Sequence, residues 1–359
     1  MYASMALCLA CLLTGGSVRP LMKMGEGSYM RHDYDGAVAC FGLAWAAAQQ
    51  LPAEHPARYD VLKRLTGVHR AKGEFEEADR FLAQAIAWRE STYAGGDSRL
   101  AEDMIEEIAL YRAMREYDRA MAVLRRVMEL DTARAHGEPD KAVADDYSRM
   151  AQIYIDQKMA DDAVAPLNMA IYIRTSLAGP LDVSLVPDLD RLGEVYNGQR
   201  AYDNAEYIYR QVLVIRESVY GKVHADLMAT VDGLAYACFG QKKYDQAEAL
   251  YQRLLDLWIS SVGKDHPMVA IALDKVAVFY AEQKKFDQAK DAADRANAIR
   301  ALSMANGLEL EATQQFDAGH VDTTKALLNR AVKVVEPPDP IYDGVHNEIS
   351  KILASLAKK

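Results

Sequence analysis

A four-residue signature recurs along this chain at an almost constant interval. In most copies it is an aromatic residue, an acid, a variable residue and an alanine, as in Tyr202-Asp-Asn-Ala205. Successive alanines are 41, 42, 43, 42, 42 and 42 residues apart, and a weaker copy ending at Thr324 follows 35 residues later. The seven alanines are Ala37, Ala78, Ala120, Ala163, Ala205, Ala247 and Ala289. Self-similarity at one period predicts an array of stacked supersecondary units rather than one globular core.

Other positions keep step with the signature. An apolar or aromatic residue lies sixteen positions before each alanine, and in most copies a small residue such as Gly193 lies twelve positions before it. Apolar residues recur at steps of three and four, which predicts two amphipathic helices per repeat. Short turns such as Gly240-Gln-Lys-Lys243 join them, and small residues allow a close crossing. The acid after the aromatic residue is placed to cap the second helix and to meet its positive dipole end.

These columns match the tetratricopeptide consensus, and the long repeat resembles the kinesin-light-chain type. That type typically carries a Gly…Asp-His-Pro linker, and this chain has Gly263-Lys-Asp-His-Pro267, Gly221-Lys-Val-His224 and Glu54-His-Pro56. The resemblance covers roughly residues 21–335. It implies an all-α fold, a right-handed solenoid of about eight helical hairpins, closed by a C-terminal capping helix.

The domain organisation expected from the sequence has four parts. Residues 1–20 are an apolar segment, which is either a secretory signal or a helix that packs on the first repeat, so the protein is either cytoplasmic or exported. Residues 21–335 form the solenoid. Adjacent prolines at 336–340 break the helical pattern. Residues 341–359 read as the capping helix. No other stretch has the 18–20 or so apolar residues needed to span a membrane.

Composition and motifs argue against several functional classes. The formal net charge of −10 gives no general footprint for nucleic acid. His55, His224 and His266 each lie 23 residues before a signature alanine, so they are one repeated linker position and not a metal cluster. Cys40 and Cys238 stand alone in helical patterns and read as small buried side chains. We therefore expect no metal, no cofactor and no catalytic site.

The resemblance implies a scaffold that binds a protein or peptide in its concave groove, which the first helix of each hairpin lines. The outward positions of these helices give the candidate partner-binding residues. They are Lys63, Arg64, Arg70, Arg112, Arg149, Gln152, Asp190, Glu194, Asn197, Asp232, Tyr236, Phe239 and Asp274.

Three of the candidates, Asp190, Asp232 and Asp274, occupy one position in successive repeats. Stacked hairpins would set them in a row, here called the aspartate ladder. One interpretation is a wall that attracts a Lys- or Arg-bearing segment, and the other is a set of merely solvated acids. We expect a monomer. The alternative function is an assembly subunit that contacts copies of itself, or an envelope complex, through its outer face or its ends.

Overall fold

The computed structural model describes residues 18–93, 99–318, 320–335, 349, 352 and 353, and within them every regular element is helical. Most of the apolar N-terminal segment, the proline break and all but three residues of the expected capping helix lie outside these residues. The α-helices are α1 (Val18–Met30), α2 (Tyr34–Ala48), α3 (Pro56–Lys72), α4 (Phe75–Tyr93), α5 (Leu100–Ala113), α6 (Tyr117–Ala135), α7 (Lys141–Asp156), α8 (Ala160–Ala178), α9 (Val186–Gly198), α10 (Tyr202–Tyr220), α11 (Met228–Gly240), α12 (Tyr244–Val262), α13 (Pro267–Glu282), α14 (Phe286–Asp317) and α15 (Val321–Val334).

The helices pair into antiparallel hairpins, numbered here from hairpin 1 (α1 and α2) to hairpin 7 (α13 and the start of α14). Within each of two compact units, Met1–Gly179 (unit 1) and Pro180–Lys359 (unit 2), every helix packs on the next one along the chain. Hairpins 1–4 belong to unit 1 and hairpins 5–7 to unit 2. The expected all-α architecture of tetratricopeptide hairpins is confirmed.

The signature marks the start of the second helix of each hairpin. Its first residue, for example Tyr117, Tyr202 or Tyr244, is also the first residue of the helix. The acid that follows lies in the first helical turn, where it meets the positive dipole end as expected. The N-cap, however, is the residue before the aromatic. Among these N-caps Asp33 accepts a hydrogen bond from Gly36 N at 3.0 Å, whereas the lysine before Tyr244 provides no side-chain cap.

The turn inside each hairpin stops the first helix with a residue in the left-handed region. This residue lies five positions before the signature alanine, and its φ is 60° at Arg200, 63° at Lys242 and 78° at Gly73. In hairpin 5 the turn is closed by a hydrogen bond from Arg200 N to Asn197 O at 3.1 Å and from Ala201 N to Tyr196 O at 2.9 Å. This Schellman-type arrangement satisfies the last carbonyls of the helix.

The linkers between hairpins use glycine and histidine as their sequence suggests. Gly221 and Gly263 end the second helices with φ of 80° and 87° and an extended ψ, a combination open essentially to glycine alone. Three residues later His224 and His266 act as N-caps, and each ring Nδ1 accepts a backbone N–H at 3.2 Å. His55 does the same for α3. The repeated histidines are therefore helix caps.

The core lies where the two helices of a hairpin cross. Six of the seven signature alanines are fully buried, and Cys40 and Cys238 are buried as expected. At the small position twelve residues earlier, a Cβ on Gly193 would lie only 2.7 Å from Cζ of Tyr209, and one on Gly25 only 2.4 Å from Cε1 of Phe41. These glycines let an aromatic ring lie against the helix backbone.

The eighth repeat differs from the others because α14 is one helix of 32 residues. It joins the second helix of hairpin 7 to the segment expected as the first helix of the eighth repeat. No glycine–histidine–proline linker separates the two, and Gly307 continues the helix. The end of α14 packs on α15, and Ile349 is buried in the same apolar cluster as Leu328.

Candidate partner-binding groove

One groove of about 580 Å³ in unit 2 gathers six of the thirteen predicted site residues. Its walls come from α9, α11 and α13, and the rings of Tyr209 and Tyr251 from the second helices form its floor. Burial raises the pKa of both phenols, so the floor is uncharged. The predicted residues among its lining are Glu194, Asn197, Asp232, Tyr236, Phe239 and Asp274.

Each carboxylate of the aspartate ladder is neutralised by a cation of the same unit. Asp190 Oδ2 accepts from Arg216 at 2.7 Å, and burial raises the pKa of Asp190 while Arg216 opposes the rise. Asp274 pairs with Arg300 in the same way, and Asp232 pairs with Lys275 of the next hairpin. The ladder is a row of ion pairs rather than of free carboxylates.

Sequence reasoning missed the two arginines of these pairs, although a signal for them exists. Arg216 and Arg300 each lie 26 residues after their aspartate, and both stand eleven positions after a signature alanine. In the hairpin between them this position is occupied by Trp258, which cannot form an ion pair. Asp232 of that hairpin pairs instead with Lys275. A comparison of charges between columns of the repeat identifies the pairing in advance.

A second line of side chains stays open along the groove. Glu194, Tyr236 and Val278 all lie eleven positions before a signature alanine, and all three are exposed. Tyr236 is 45% and Val278 is 59% accessible, and among the described residues Glu194 has no ion-pair partner. This "open column" gives the groove one free negative charge followed by two apolar contacts.

The remaining groove residues of unit 2 are structural. Asn197 Nδ2 donates to Gly233 O at 3.0 Å and ties α9 to α11. Phe239 packs edge-on against Phe279, with ring centroids 5.7 Å apart, and is half-buried. These contacts hold adjacent hairpins in register and so fix the spacing of the open column.

Three of the five basic candidates of unit 1, Lys63, Arg64 and Arg70, line another groove, of about 920 Å³, but their charges are also paired. Lys63 Nζ lies 2.9 Å from Asp103 Oδ1, and Arg70 lies 3.0 Å from Glu106. Arg64 lies 2.8 Å from Glu26, with both side chains about half exposed. Burial opposes the charge of Lys63, yet hydrogen bonds to Glu106 and Asp103 raise its pKa overall. This groove offers no surplus of positive charge.

The other three candidates of unit 1 do not line either of these grooves. Arg112 Nε lies 2.7 Å from Asp156 Oδ2, and Gln152 Nε2 donates to the other oxygen of Asp156 at 2.9 Å. Arg149 lies 2.7 Å from Asp146, a fully buried carboxyl group on the same helix.

The described part of the chain lacks two kinds of feature. No helix in it is both long and apolar enough to cross a bilayer. No group of three or more His, Cys, Asp or Glu side chains there is arranged to hold a metal ion.

Comparison with known families agrees with the repeat register. Models described as tetratricopeptide repeat match residues 109–138, 189–226 and 226–301. No curated protein matches the chain.

Several solved structures are similar in fold. BtubC (BKLC) from P. vanneervenii has a TM-score of 0.52 at 19% identity, over 67% of this chain and 92% of its own. A Podospora anserina putative kinesin light chain with nearly identical TPR-like repeats has a TM-score of 0.52 at 16% identity, over 58% and 98%. The C-terminal part of a TPR repeat-containing protein from Cytophaga hutchinsonii has 0.55 at 13%, over 77% and 95%.

At these identities the solved structures show the fold alone, and the matching models identify the repeat type over residues 109–138 and 189–301. The hairpin turns, the buried alanine column and the glycine–histidine linkers all agree with it. This fold generally serves as a scaffold for protein interactions. The chain contains tetratricopeptide repeats, matched over residues 109–138 and 189–301, and its 42-residue repeats resemble those of the kinesin-light-chain type.

Proposed function

We propose that this protein is a scaffold, not an enzyme, and that it binds an extended segment of a partner protein in the unit 2 groove. The observation that carries the proposal is the open column, in which Glu194, Tyr236 and Val278 stand exposed on three successive first helices. Most other charges of the groove are already paired, so these side chains are the ones free to select a ligand.

The order of the open column defines the ligand. Glu194 accepts a charge-assisted hydrogen bond from a Lys or Arg side chain, and Tyr236 offers an exposed ring beside it. Val278 then takes an apolar side chain. Packed helices lie about 8–10 Å apart and an extended chain advances about 3.3 Å per residue, so successive contacts fall roughly three residues apart. The expected ligand is a basic residue followed at that spacing by two apolar or aromatic ones.

The basic preference thus rests on Glu194 rather than on the aspartate ladder. Replacing a ladder aspartate by lysine breaks an ion pair inside the protein, so a loss of binding there has two causes. Glu194 has no such partner among the described residues, which makes it the cleaner probe.

A random peptide library displayed on phage and selected on the full chain tests the proposal. We expect enrichment of the basic–apolar–apolar pattern, and a loss of about tenfold or more in affinity for the selected peptides in Glu194→Lys, the size of one charge-assisted hydrogen bond. The matched control is Glu282→Lys, an exposed glutamate on α13 that does not line the groove. Selection without a basic residue, or an equal loss in both variants, refutes the proposed ligand.

A second candidate function is self-assembly through the outer face, in place of a monomeric scaffold. Tyr207 and Val214 lie seven residues apart on one face of α10 and are 63% and 53% exposed. Exposed apolar side chains on a shared face are typical of interaction surfaces. Light scattering after size exclusion, over a range of concentrations, decides between the two. A mass that stays that of one chain excludes this candidate, and a dimer that Val214→Asp abolishes supports it.

A further inference from the structure

One joint between hairpins of unit 1 carries a buried ion pair. Arg89, eleven positions after its signature alanine, donates through Nε to Asp103 Oδ2 at 2.7 Å, and Asp103 stands seventeen positions before the next signature alanine. Arg89 is only 3% exposed and Asp103 only 2% exposed. The Arg89 guanidinium also lies over the ring of Tyr59, 4.3 Å from its centroid. The pair joins the second helix of hairpin 2 to the first helix of hairpin 3.

At the next joint, between α6 and α7, the same two positions hold two acids. Asp131 replaces the arginine, and Asp146 stands where Asp103 does. Asp131 is 3% exposed and Asp146 is fully buried. Asp146 Oδ2 is buried with no hydrogen-bond partner among the described residues. The repeat register therefore sets two carboxyl groups against each other where the preceding joint has a cation and an anion.

The other charged groups around Asp146 do not replace the missing cation across the joint. Arg134 of α6 lies 2.9 Å from Asp131, and Arg149 of α7 lies 2.7 Å from Asp146, each three residues along its own helix and partly exposed. From α8, Arg174 binds Asp145 at 2.6 Å. These contacts stay within a helix or within hairpin 4, so none of them bridges α6 to α7.

Two buried carboxylates at one joint favour the binding of a proton. Burial disfavours the charged form of Asp146, Asp131 adds repulsion and Arg149 opposes both, with the result that the pKa of Asp146 rises to about 7. The protonated carboxyl has an O–H that can be donated, which the ionised group lacks.

We propose that Asp131 and Asp146 make the α6–α7 joint a proton-dependent link between hairpins 3 and 4. With a proton on Asp146 the joint is closed. When that proton leaves, two buried negative charges face each other and the joint loosens. Arg149 and Gln152, on the same helix as Asp146, are displaced with it, so the joint couples pH to the first helix of hairpin 4.

The direction of the effect follows from the proton count. The closed joint holds the proton up to about pH 7, whereas a solvated aspartate releases it near pH 3.9. The closed state therefore binds more protons over this window, and its stability falls as pH rises through it. For a single such group the opening equilibrium constant rises about tenfold between about pH 6 and about pH 8.

Hydrogen–deuterium exchange of the full chain, followed by mass spectrometry and corrected for the intrinsic pH dependence of exchange, measures this opening. We expect peptides of α6 and α7 to lose about tenfold in protection over that pH range. Peptides of α4 and α5, where Arg89 neutralises Asp103, are the internal reference and should keep theirs. Equal protection of α6 and α7 at both pH values overturns the proposal.

Two variants separate the proton link from ordinary local instability. Asp146→Asn removes the titrating group at almost constant shape, and Asp131→Arg installs the arginine found at this position in hairpin 2. Both should abolish the pH dependence in α6 and α7. If Asp146→Asn retains the wild-type pH dependence, another group is responsible and the assignment is wrong. Where the arginine variant fails to fold, the smaller Asp131→Asn serves instead, and it should weaken the pH dependence rather than abolish it, because the burial of Asp146 remains.

Discussion

Replacing Gly233 by alanine should destabilise unit 2, although the same change in most helices is stabilising. Gly233 lies inside α11, and a Cβ there would stand 2.4 Å from Cζ and 2.7 Å from Cε1 of Tyr209. The ring cannot retreat, because a Cβ at Gly193 would already lie 2.7 Å from the same Cζ atom. Tyr209 is thus held between two glycine backbones, and it is only 4% exposed.

The expected magnitude comes from two opposing effects. Glycine to alanine inside a helix gains about 1 kcal/mol from backbone entropy. Overpacking a filled site costs about 1–3 kcal/mol, and the upper end applies where the displaced group is blocked on its far side. The net result for Gly233→Ala is a loss of about 2 kcal/mol. In a Tyr209→Leu background the obstruction is gone, and the same substitution should gain about 1 kcal/mol, a coupling of about 3 kcal/mol.

Urea unfolding followed by tryptophan fluorescence can report on unit 2 alone. The chain has three tryptophans, and with Trp45 and Trp88 replaced by phenylalanine the signal comes from Trp258, which packs on the core of unit 2. Gly307→Ala is the matched control, since Gly307 lies in α14 with nothing within 4 Å of the added Cβ, and it should stabilise. If Gly233→Ala stabilises unit 2 as Gly307→Ala does, the packing argument is wrong.

Two further predictions concern hairpin turns and acid stability. Lys242→Gly should raise the free energy of unfolding by about 1 kcal/mol, because Lys242 has a φ of 63° at the position where hairpin 2 has Gly73. The urea midpoint should rise accordingly. An unchanged midpoint would show that the backbone of Lys242 is not strained. Burial works against ionisation of Glu206, yet hydrogen bonds from Lys243 and Arg210 lower its pKa to about 2. The lowered pKa stabilises the fold above about pH 4.5 by about 2 kcal/mol, and this is lost as pH falls toward 2. A pH series of melting temperatures should flatten in that window for Glu206→Gln, and a slope equal to that of the wild type would exclude the contribution.

Much of the fold could be predicted because the same local interactions start and cap the helices in each repeat. The first residue of the signature, aromatic in each of hairpins 1–7 except at Ala160, begins the second helix of its hairpin, and the linker histidines cap the next element. Both effects act over a few residues, so they are visible in a short stretch of sequence. The N-cap assignment was wrong by two positions. The acid after the aromatic sits inside the helix, and the residue before the aromatic takes the cap.

The long helix α14 was not foreseen for a related reason. The shorter interval of 35 residues before Thr324 was visible, but its consequence depends on what is missing from the sequence. A second helix stops when a glycine such as Gly263 supplies a positive φ and a following histidine caps the next helix. Without that pair, the helix continues through Ser303 and Gly307, and the two segments form one helix.

The sequence predicts which side chains line the unit 2 groove, but not which of their charges are paired. The outward positions of the first helices led to six residues that do share one groove. Whether an aspartate in that groove is free depends on side chains 26 or 43 residues away, such as Arg300 or Lys275. Helical periodicity within one repeat cannot reveal these partners, whereas comparison of columns between neighbouring repeats can.

Such a comparison also explains why the informative positions are the exceptions. Residues at one column meet the same neighbouring columns in successive hairpins, so a column that is filled consistently tends to be satisfied by its neighbours, as Asp190 is by Arg216. Function that distinguishes this chain from another array must then reside where a column changes character. The open column changes from the charge of Glu194 to the apolar side chain of Val278, and the joint column changes from Arg89 to Asp131. The first change makes the two ends of the groove chemically different, so that an extended ligand would bind in one orientation. The second places two buried carboxyl groups at one joint, where gain or loss of a proton alters the stacking.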